Sequence, residues 1–201
     1  KIFRLEVNKF LKISKDLLIR KNLWQNKSFH ESDITNFDLI IFAEGFNVDA
    51  NNFFNWLPFS HAKGEIIKLR GPNVKNCSNG TWLLSDSNNH CMAGSTWEHE
   101  NLKSGPTSHG KLEIIKNINY IDLQNHKVIN HVSGIRSCTL DRYPIIGRHF
   151  EFSKLAIFNG FGSRGATMVS YYANILVDHL FNGSDIPPYV SIERFKRYFT
   201  E

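Results

Sequence analysis

Two stretches in the last third of the chain combine residue types and spacings that can do chemistry. Gly160-Phe161-Gly162-Ser163-Arg164-Gly165 follows the apolar run Leu155–Asn159 and precedes an amphipathic stretch over residues 166–181. Strand, glycine loop and helix, in that order, offer backbone N–H groups and the positive end of a helix dipole to an anion or a polarised oxygen. The spacing Gly160-x-Gly162-x-x-Gly165 spells a dinucleotide fingerprint. The acid expected about 20 positions on, at the end of a second strand, is missing: Asp178 lies in the same helix and Asp185 in a turn. Three readings stand: a pyrophosphate cradle, close helix–strand packing without a ligand, and a helix N-terminus facing some other electron-rich group.

The second stretch is Ser133-Gly134-Ile135-Arg136, continued by Thr139-Leu140-Asp141-Arg142-Tyr143-Pro144-Ile145-Ile146-Gly147. Arg136 closes a strand between small residues, where its planar fork can meet a carboxylate in two parallel bonds. Asp141-Arg142 before a proline also fits a surface turn with a local ion pair, which contributes little. Trp97-Glu98-His99-Glu100, with His90, Cys91 and His109, carries N, O and S donors but neither HExxH nor paired CxxC spacing, so no metal is assigned. No G-x-S-x-G elbow supports serine–histidine chemistry. The aromatic run Phe53 to Phe59 suits core or interdomain packing better than a ligand cover.

The elements that must hold these residues alternate between strand and helix. Alternating apolar letters predict a strand over residues 2–7, and residues 10–23 predict a helix with Phe10, Leu11, Leu17, Leu18 and Leu23 on one face. Residues 37–43 (FDLIIFA) form a continuous apolar run, expected as a strand buried on both faces and ended by a turn at Gly45. Short strands at 63–69, 80–85 and 91–96, separated by turn-rich connections at 72–80 and 86–89, predict a small antiparallel sheet. A helix over 107–120, with Leu112, Ile115, Ile118 and Tyr120 inward, and a strand over 127–133 follow. The helix at 166–181 should bury Val169, Tyr172, Ala173, Leu176 and Leu180 and stop at Asn182-Gly183. Pro187-Pro188 then forces an extended exit before a short amphipathic ending at 192–199.

The 201 residues, 41% hydrophobic and 21% charged, suffice for a sizeable core and argue against disorder. The net charge of +5, from 24 Lys and Arg against 19 Asp and Glu, is scattered rather than gathered into a patch, so no nucleic-acid partner is expected. No apolar run is long enough to span a bilayer. Cys77, Cys91 and Cys138 are odd in number and share no CxxC spacing, which suits reduced thiols in a cytoplasm.

Taken in order, Asp38 to Gly45 (DLIIFAEG), Lys63-Gly64-Glu65, Met92 to Glu98 (MAGSTWE), SGIRSCTLDRYPIIG and FNGFGSRGATMVSYYANILVDHL resemble the C-terminal half of the FAD-dependent oxidoreductases of the D-amino-acid-oxidase and glycine-oxidase type. The resemblance implies a mixed α/β (α+β) fold in which an incomplete FAD-binding domain is interleaved with an antiparallel-sheet substrate domain. Residues 1–45 would belong to the FAD-binding domain and crossover, 46–135 mainly to the substrate domain, and 136–201 to the FAD-binding domain again. It implies that Arg136 holds the carboxylate of a small substrate, with hydride passing to flavin N5. Gly45, Gly160, Gly162, Ser163, Arg164, Gly165, Ala166 and Thr167 would contact FAD, with amides and dipole stabilising charge at N1 and O2. The ADP-binding strand–GxGxxG–helix of such proteins has no counterpart near Lys1, so a missing N-terminal half is expected as partner and the chain alone is expected to be inactive. A tRNA-modifying flavoprotein, or a non-catalytic binding domain of the same fold, is the alternative. Ser85, Ser137 and Ser170 replace prolines of the family pattern.

Overall fold

The computed structural model describes residues 5–85 and 89–200. Two sheets carry the architecture. Five antiparallel strands, β2 (Ala62–Arg70), β3 (Cys77–Asn79), β4 (Thr81–Ser85), β5 (His90–Gly94) and β6 (Lys127–Arg136), stand in the order β3-β4-β5-β2-β6. A second sheet of β1 (Ile40–Phe42), β7 (Ile145–Arg148) and β8 (Leu155–Asn159) has the order β1-β8-β7, with β1 parallel and β7 antiparallel to β8. The fold class is therefore mixed α/β, with antiparallel pairing predominant.

Each sheet is held by a helix that buries branched side chains against it. On the large sheet, Ile114 and Ile118 from α2 (Ser108–Asn117) and the turn after it close over Ile67, Leu69, Leu83 and Ala93. On the small sheet the pleat sends alternate residues to opposite faces. Ile146 meets Tyr172 and Leu176 of α3 (Gly165–Asn182), while Ile145, Leu155 and Ile157 join Phe42, Val48, Phe54, Leu57, Ile192 and Phe195 on the other side. Phe54 and Leu57 thus place the aromatic run in the core. Gly183, at φ 72°, ends α3 with left-handed backbone that accepts the cap without Cβ strain. The chain closes with a 3-10 turn, Ile192–Phe195, and α4 (Lys196–Thr200).

Several expectations are corrected. Residues 2–4 and 86–88 lie outside the described residues, so the first strand and the second hairpin connection are only partly visible. Leu5 and Glu6 are not in a strand, and Val7 already begins α1 (Val7–Arg20), which starts three residues earlier than the periodicity implied. Its apolar face is real but covered by nothing among the described residues: Phe10, Leu11, Leu17 and Leu18 are all exposed. The run at 37–43 yields only the three-residue β1, which among the described residues is an edge strand with β8 as its single neighbour. Phe42 is consequently buried while Ile41 is exposed, not buried on both faces. In α2 the inward pair is Ile114 and Ile118, and Leu112 and Tyr120 are exposed. In α3, Tyr172 and Leu176 are buried as expected but Val169 is exposed.

The start of α2 is anchored by polar contacts with β2. Thr107 caps the helix by accepting from the Gly110 amide at 3.0 Å, and its own N–H and hydroxyl each donate to Glu65 at 2.9 Å. Glu65 is buried in β2 beside the equally buried Lys63, whose Nζ lies 3.3 Å from Glu65 Oε1 and 2.7 Å from Glu98 Oε2 and donates to Ser104 Oγ at 2.9 Å. Burial would raise the Glu65 pKa, but the Thr107 bonds and Lys63 outweigh it and hold the carboxyl below its ordinary 4.5. The bond to Glu98 leads in raising Lys63 above 10.5, against its burial.

The sign of the pH dependence follows from these directions. Glu65 adds stability above its unfolded value of 4.5 and loses it as pH falls through its lower folded value. Lys63 adds stability below 10.5 and loses it as pH rises through its higher folded value. In thermal melts against pH, the contribution of the pair is expected to be flat between these limits and to fall away outside them. Lys63→Met removes the cation between Glu65 and Glu98 and leaves the buried Glu65 with Thr107 and His131 as partners, and is expected to lower Tm at pH 7 by about 10 °C.

Candidate functional site

The site is assembled where main chain passes from one sheet to the other. After Arg136 the chain leaves β6 and runs beside residues 58–60: Ser60 N donates to Cys138 O at 2.8 Å, Leu140 N donates to Pro58 O at 3.2 Å, and Phe59 and Thr139 form an antiparallel bridge. On its other side Ser137 O accepts the Gly162 amide at 2.7 Å. This bond brings the two stretches singled out in the sequence into contact.

A cleft of about 770 Å³ opens at this junction, lined by Ser60, Trp97, His99, residues 138–143 and residues 160–164. That volume falls in the range of organic ligand sites, about 300–1,000 Å³. Parallel β1 and β8 both point their carboxyl ends towards this region, the edge at which α/β sheets place ligands. Gly45 turns the chain after β1 at φ 62°, and its carbonyl accepts from Asn159 Nδ2 at 2.8 Å, immediately before the glycine loop.

The glycines of the loop have unequal jobs. Gly160 has φ 80°, and a Cβ there would come within 2.7 Å of the Thr139 methyl and 3.5 Å of backbone at Pro144 and Ile145. Gly165 has ordinary helical backbone and room for a Cβ, which would meet the Phe161 Cβ at 3.7 Å and the Val169 methyl at 3.9 Å. The loop is not sealed: Ser163, Arg164, Ala166 and Thr167 are exposed. Gly160, Gly162, Ser163 and Arg164 line the cleft, whereas Gly165, Ala166 and Thr167 in the first turn of α3, and Gly45 after β1, lie outside its lining. Arg164 donates to the Arg142 carbonyl and so braces the loop against the opposite rim.

Arg136 is half-buried next to the cleft rather than in its lining. Nη2 donates to Ser95 Oγ at 2.6 Å and Nη1 to Thr96 O at 3.3 Å. Its Cζ lies 4.9 Å from the centre of the Trp97 ring, and Trp97 does line the cleft. On β2, Gly64 pairs with Gly134, and a Cβ on residue 64 would overlap the guanidinium. Two donations leave three of the five guanidinium N–H groups for another acceptor. Burial lowers the Arg136 pKa and raises that of Cys138, which stays a thiol at neutral pH.

The Asp141-Arg142 turn differs from its local reading. Asp141 pairs with Arg194, Nε to Oδ2 at 2.8 Å, and Arg194 also donates to the carbonyls of Tyr143 and Pro144. A residue near the chain's end therefore fixes one rim of the cleft. Burial raises the Asp141 pKa, but Arg194 and the Tyr143 amide bring it below its usual value. Glu98 is committed to Lys63, and His99 to Trp97 and the His61 carbonyl. Trp97, His99 and Ser60 are cleft residues that the sequence did not assign to a ligand. The one sequence clue was Trp97's place after the Gly94-Ser95-Thr96 strand end.

The mixed sheets, the cleft at their junction and the open glycine loop before α3 define a flavoenzyme-like half-fold. Residues 16–179 match the FAD dependent oxidoreductase family, and the chain belongs to that family. Among solved structures it is similar to iminodiacetate oxidase from Chelativorans sp. BNC1 (26% identity, TM-score 0.64, covering 77% of this chain and 46% of that one). It is also similar in fold to L-proline dehydrogenase from P. horikoshii (18%, 0.68, 79% and 47%) and to glycine oxidase from Geobacillus kaustophilus (21%, 0.60, 76% and 44%). The chain thus spans less than half the length of these relatives. The family is FAD dependent, and the cleft's size, its open glycine loop and the positive end of α3 suit one end of such a cofactor.

The loop geometry sets a contrast between two glycines of one motif. Gly160→Ala is expected to cost about 2 kcal/mol or more, from left-handed strain and the Thr139 contact. Gly165→Ala is expected to be neutral or to stabilise by up to about 1 kcal/mol. Urea denaturation of the two variants checks both.

Proposed function

We propose that these residues form the substrate-facing portion of an FAD-dependent oxidoreductase that oxidises a small amino or hydroxy acid. The observation that carries this reading is the Gly162–Ser137 bond, which sets the glycine loop one residue from Arg136. Arg136 offers its three remaining N–H donors to the substrate carboxylate and so fixes the direction of the α C–H bond. FAD, when bound, supplies the hydride acceptor at N5. The amides of Gly160, Gly162 and Arg164 donate to Asn159 Oδ1, Ser137 O and Phe161 O and so shape the loop. The positive end of α3, with Ser163, Gly165, Ala166 and Thr167 at it, brings partial positive charge to the ring end, and Gly45 adjoins it from the end of β1. The relatives' names give iminodiacetate, glycine and L-proline as substrates, which favours a small carboxylate.

In this reading residues 1–45 and 136–201 belong to the FAD-binding domain and residues 46–135 mainly to the substrate domain. The ADP end of FAD is held by a further part of the protein, consistent with relatives about twice as long. The chain alone is then inactive. The three free thiols suit a cytoplasmic location, and no helix among the described residues is long and apolar enough to cross a membrane.

In the full-length protein, Arg136→Leu is expected to lower kcat/KM for the carboxylate substrate at least about 100-fold while flavin content is retained. Unchanged turnover would remove Arg136 from the site. Flavin titration of the 201-residue chain is expected to show weak binding or none, and tight stoichiometric binding would overturn the proposed division.

A further inference from the structure

Trp97 lies against Arg136, and His99 bonds Trp97 from within the cleft lining. The indole N–H of Trp97 can only donate, and it donates to His99 Nε2 at 3.0 Å. The His61 carbonyl can only accept, and it lies 2.9 Å from His99 Nδ1. The arrangement therefore requires one tautomer, the neutral imidazole with its proton on Nδ1 and a lone pair on Nε2. Trp97 is half exposed, at 52%, so little packing restrains its ring. The ring nevertheless lies 4.9 Å from the Arg136 guanidinium, which also packs against Gly64.

We propose that His99 and Trp97 are positioning residues for substrate recognition: His99 pins the indole, and the indole with Gly64 holds the Arg136 guanidinium in one plane beside the cleft. This rests on the assignment of Arg136 to the substrate carboxylate. A planar cation packed against an aromatic face and bare backbone presents its N–H edge in a fixed direction, which is what a two-bond grip on a carboxylate needs. With the indole unpinned, the guanidinium keeps its charge but samples more orientations. Carboxylate binding should then weaken more than the chemical step.

The test uses the full-length, flavin-loaded protein and its carboxylate substrate. His99→Leu is expected to raise KM about 5–10-fold with kcat within about twofold. His99→Gln, whose amide has both an acceptor for Trp97 and a donor for His61, is expected to restore KM to within about twofold of the parent. Trp97→Phe keeps an aromatic face but not the N–H, so it should match His99→Leu, and the double variant should be no worse than either. An unchanged KM in His99→Leu, a failed rescue by Gln, or additive losses in the double variant would each overturn the positioning role. Arg136→Leu, measured alongside, separates the two levels. If it is impaired while His99→Leu and Trp97→Phe are not, only the positioning role falls. If it is not impaired, the assignment of Arg136 falls and the positioning role with it. Should His99→Leu fail to fold, Trp97→Phe and His99→Gln still decide the matter.

Discussion

The structure depends on a few peptide groups between Ser137 and Leu140. This segment is bonded on one side to residues 58–60 and on the other to Gly162, and it is the continuation of β6. Backbone bonds of this kind are indifferent to side-chain identity but strict about position. They transmit the register of the five-stranded sheet to the glycine loop without an intervening flexible link. Arg136, the last residue of that ladder, pairs with Ala62 while its neighbour Ser137 holds the loop. The spacing between the Arg136 backbone and the glycine loop is thereby set by main chain, the least variable material a protein has.

Charge is then arranged in two separate tiers. Lys63, Glu65 and Glu98 are consumed by structure, tying β2 to the cap of α2 and to the segment carrying Trp97. Breaking the buried Lys63–Glu65 pair is far more costly than its net contribution suggests, because neither of these two charges has water to return to. Arg136 is treated differently. It receives only neutral oxygens, Ser95 Oγ and Thr96 O, and no carboxylate lies among its bonded partners. A guanidinium held by neutral acceptors keeps its full charge available, whereas one paired with an acid would have to surrender that acid before taking a substrate.

The uncovered apolar surface fits the proposed division of the protein. Fourteen residues of α1 bury no side chain among the described residues, and a helix of that length is marginal without tertiary packing. Ile41 on the free face of β1 and Val169, Tyr171, Val177 and Phe181 on α3 add further exposed apolar groups. In the proposed full-length protein these belong to the FAD-binding side, while the large sheet, with its own closed core of Ile67, Leu69, Leu83 and Ile114, asks for no such cover. Exposed apolar side chains on α1, β1 and α3 are what the proposed division calls for at the boundary with the rest of the FAD-binding domain, although the large sheet also leaves Leu112 and Val132 exposed.

Legibility followed the range of the forces involved. β8 was read to the residue, and the α3 stop at Gly183 was read because a left-handed cap is a local steric fact. The antiparallel sheet was visible from short alternating runs between turns. The buried state of β1 was misjudged because burial depends on neighbours, and an apolar run is the same letters at an edge as in a centre. Leu112 differs for a related reason: periodicity gives an approximate face, and the contacts that choose within it are distant, as where Glu65, more than 40 residues away, anchors Thr107 at the start of α2. The glycine loop and Arg136 were legible as motifs, and family resemblance linked them. Trp97 and His99 were not, since a ring stacked on an arginine and a tautomer fixed by a distant carbonyl leave no periodic trace. The parts of the site written in backbone and turn chemistry can be read from sequence, while those that aim a side chain emerge only from packing between segments.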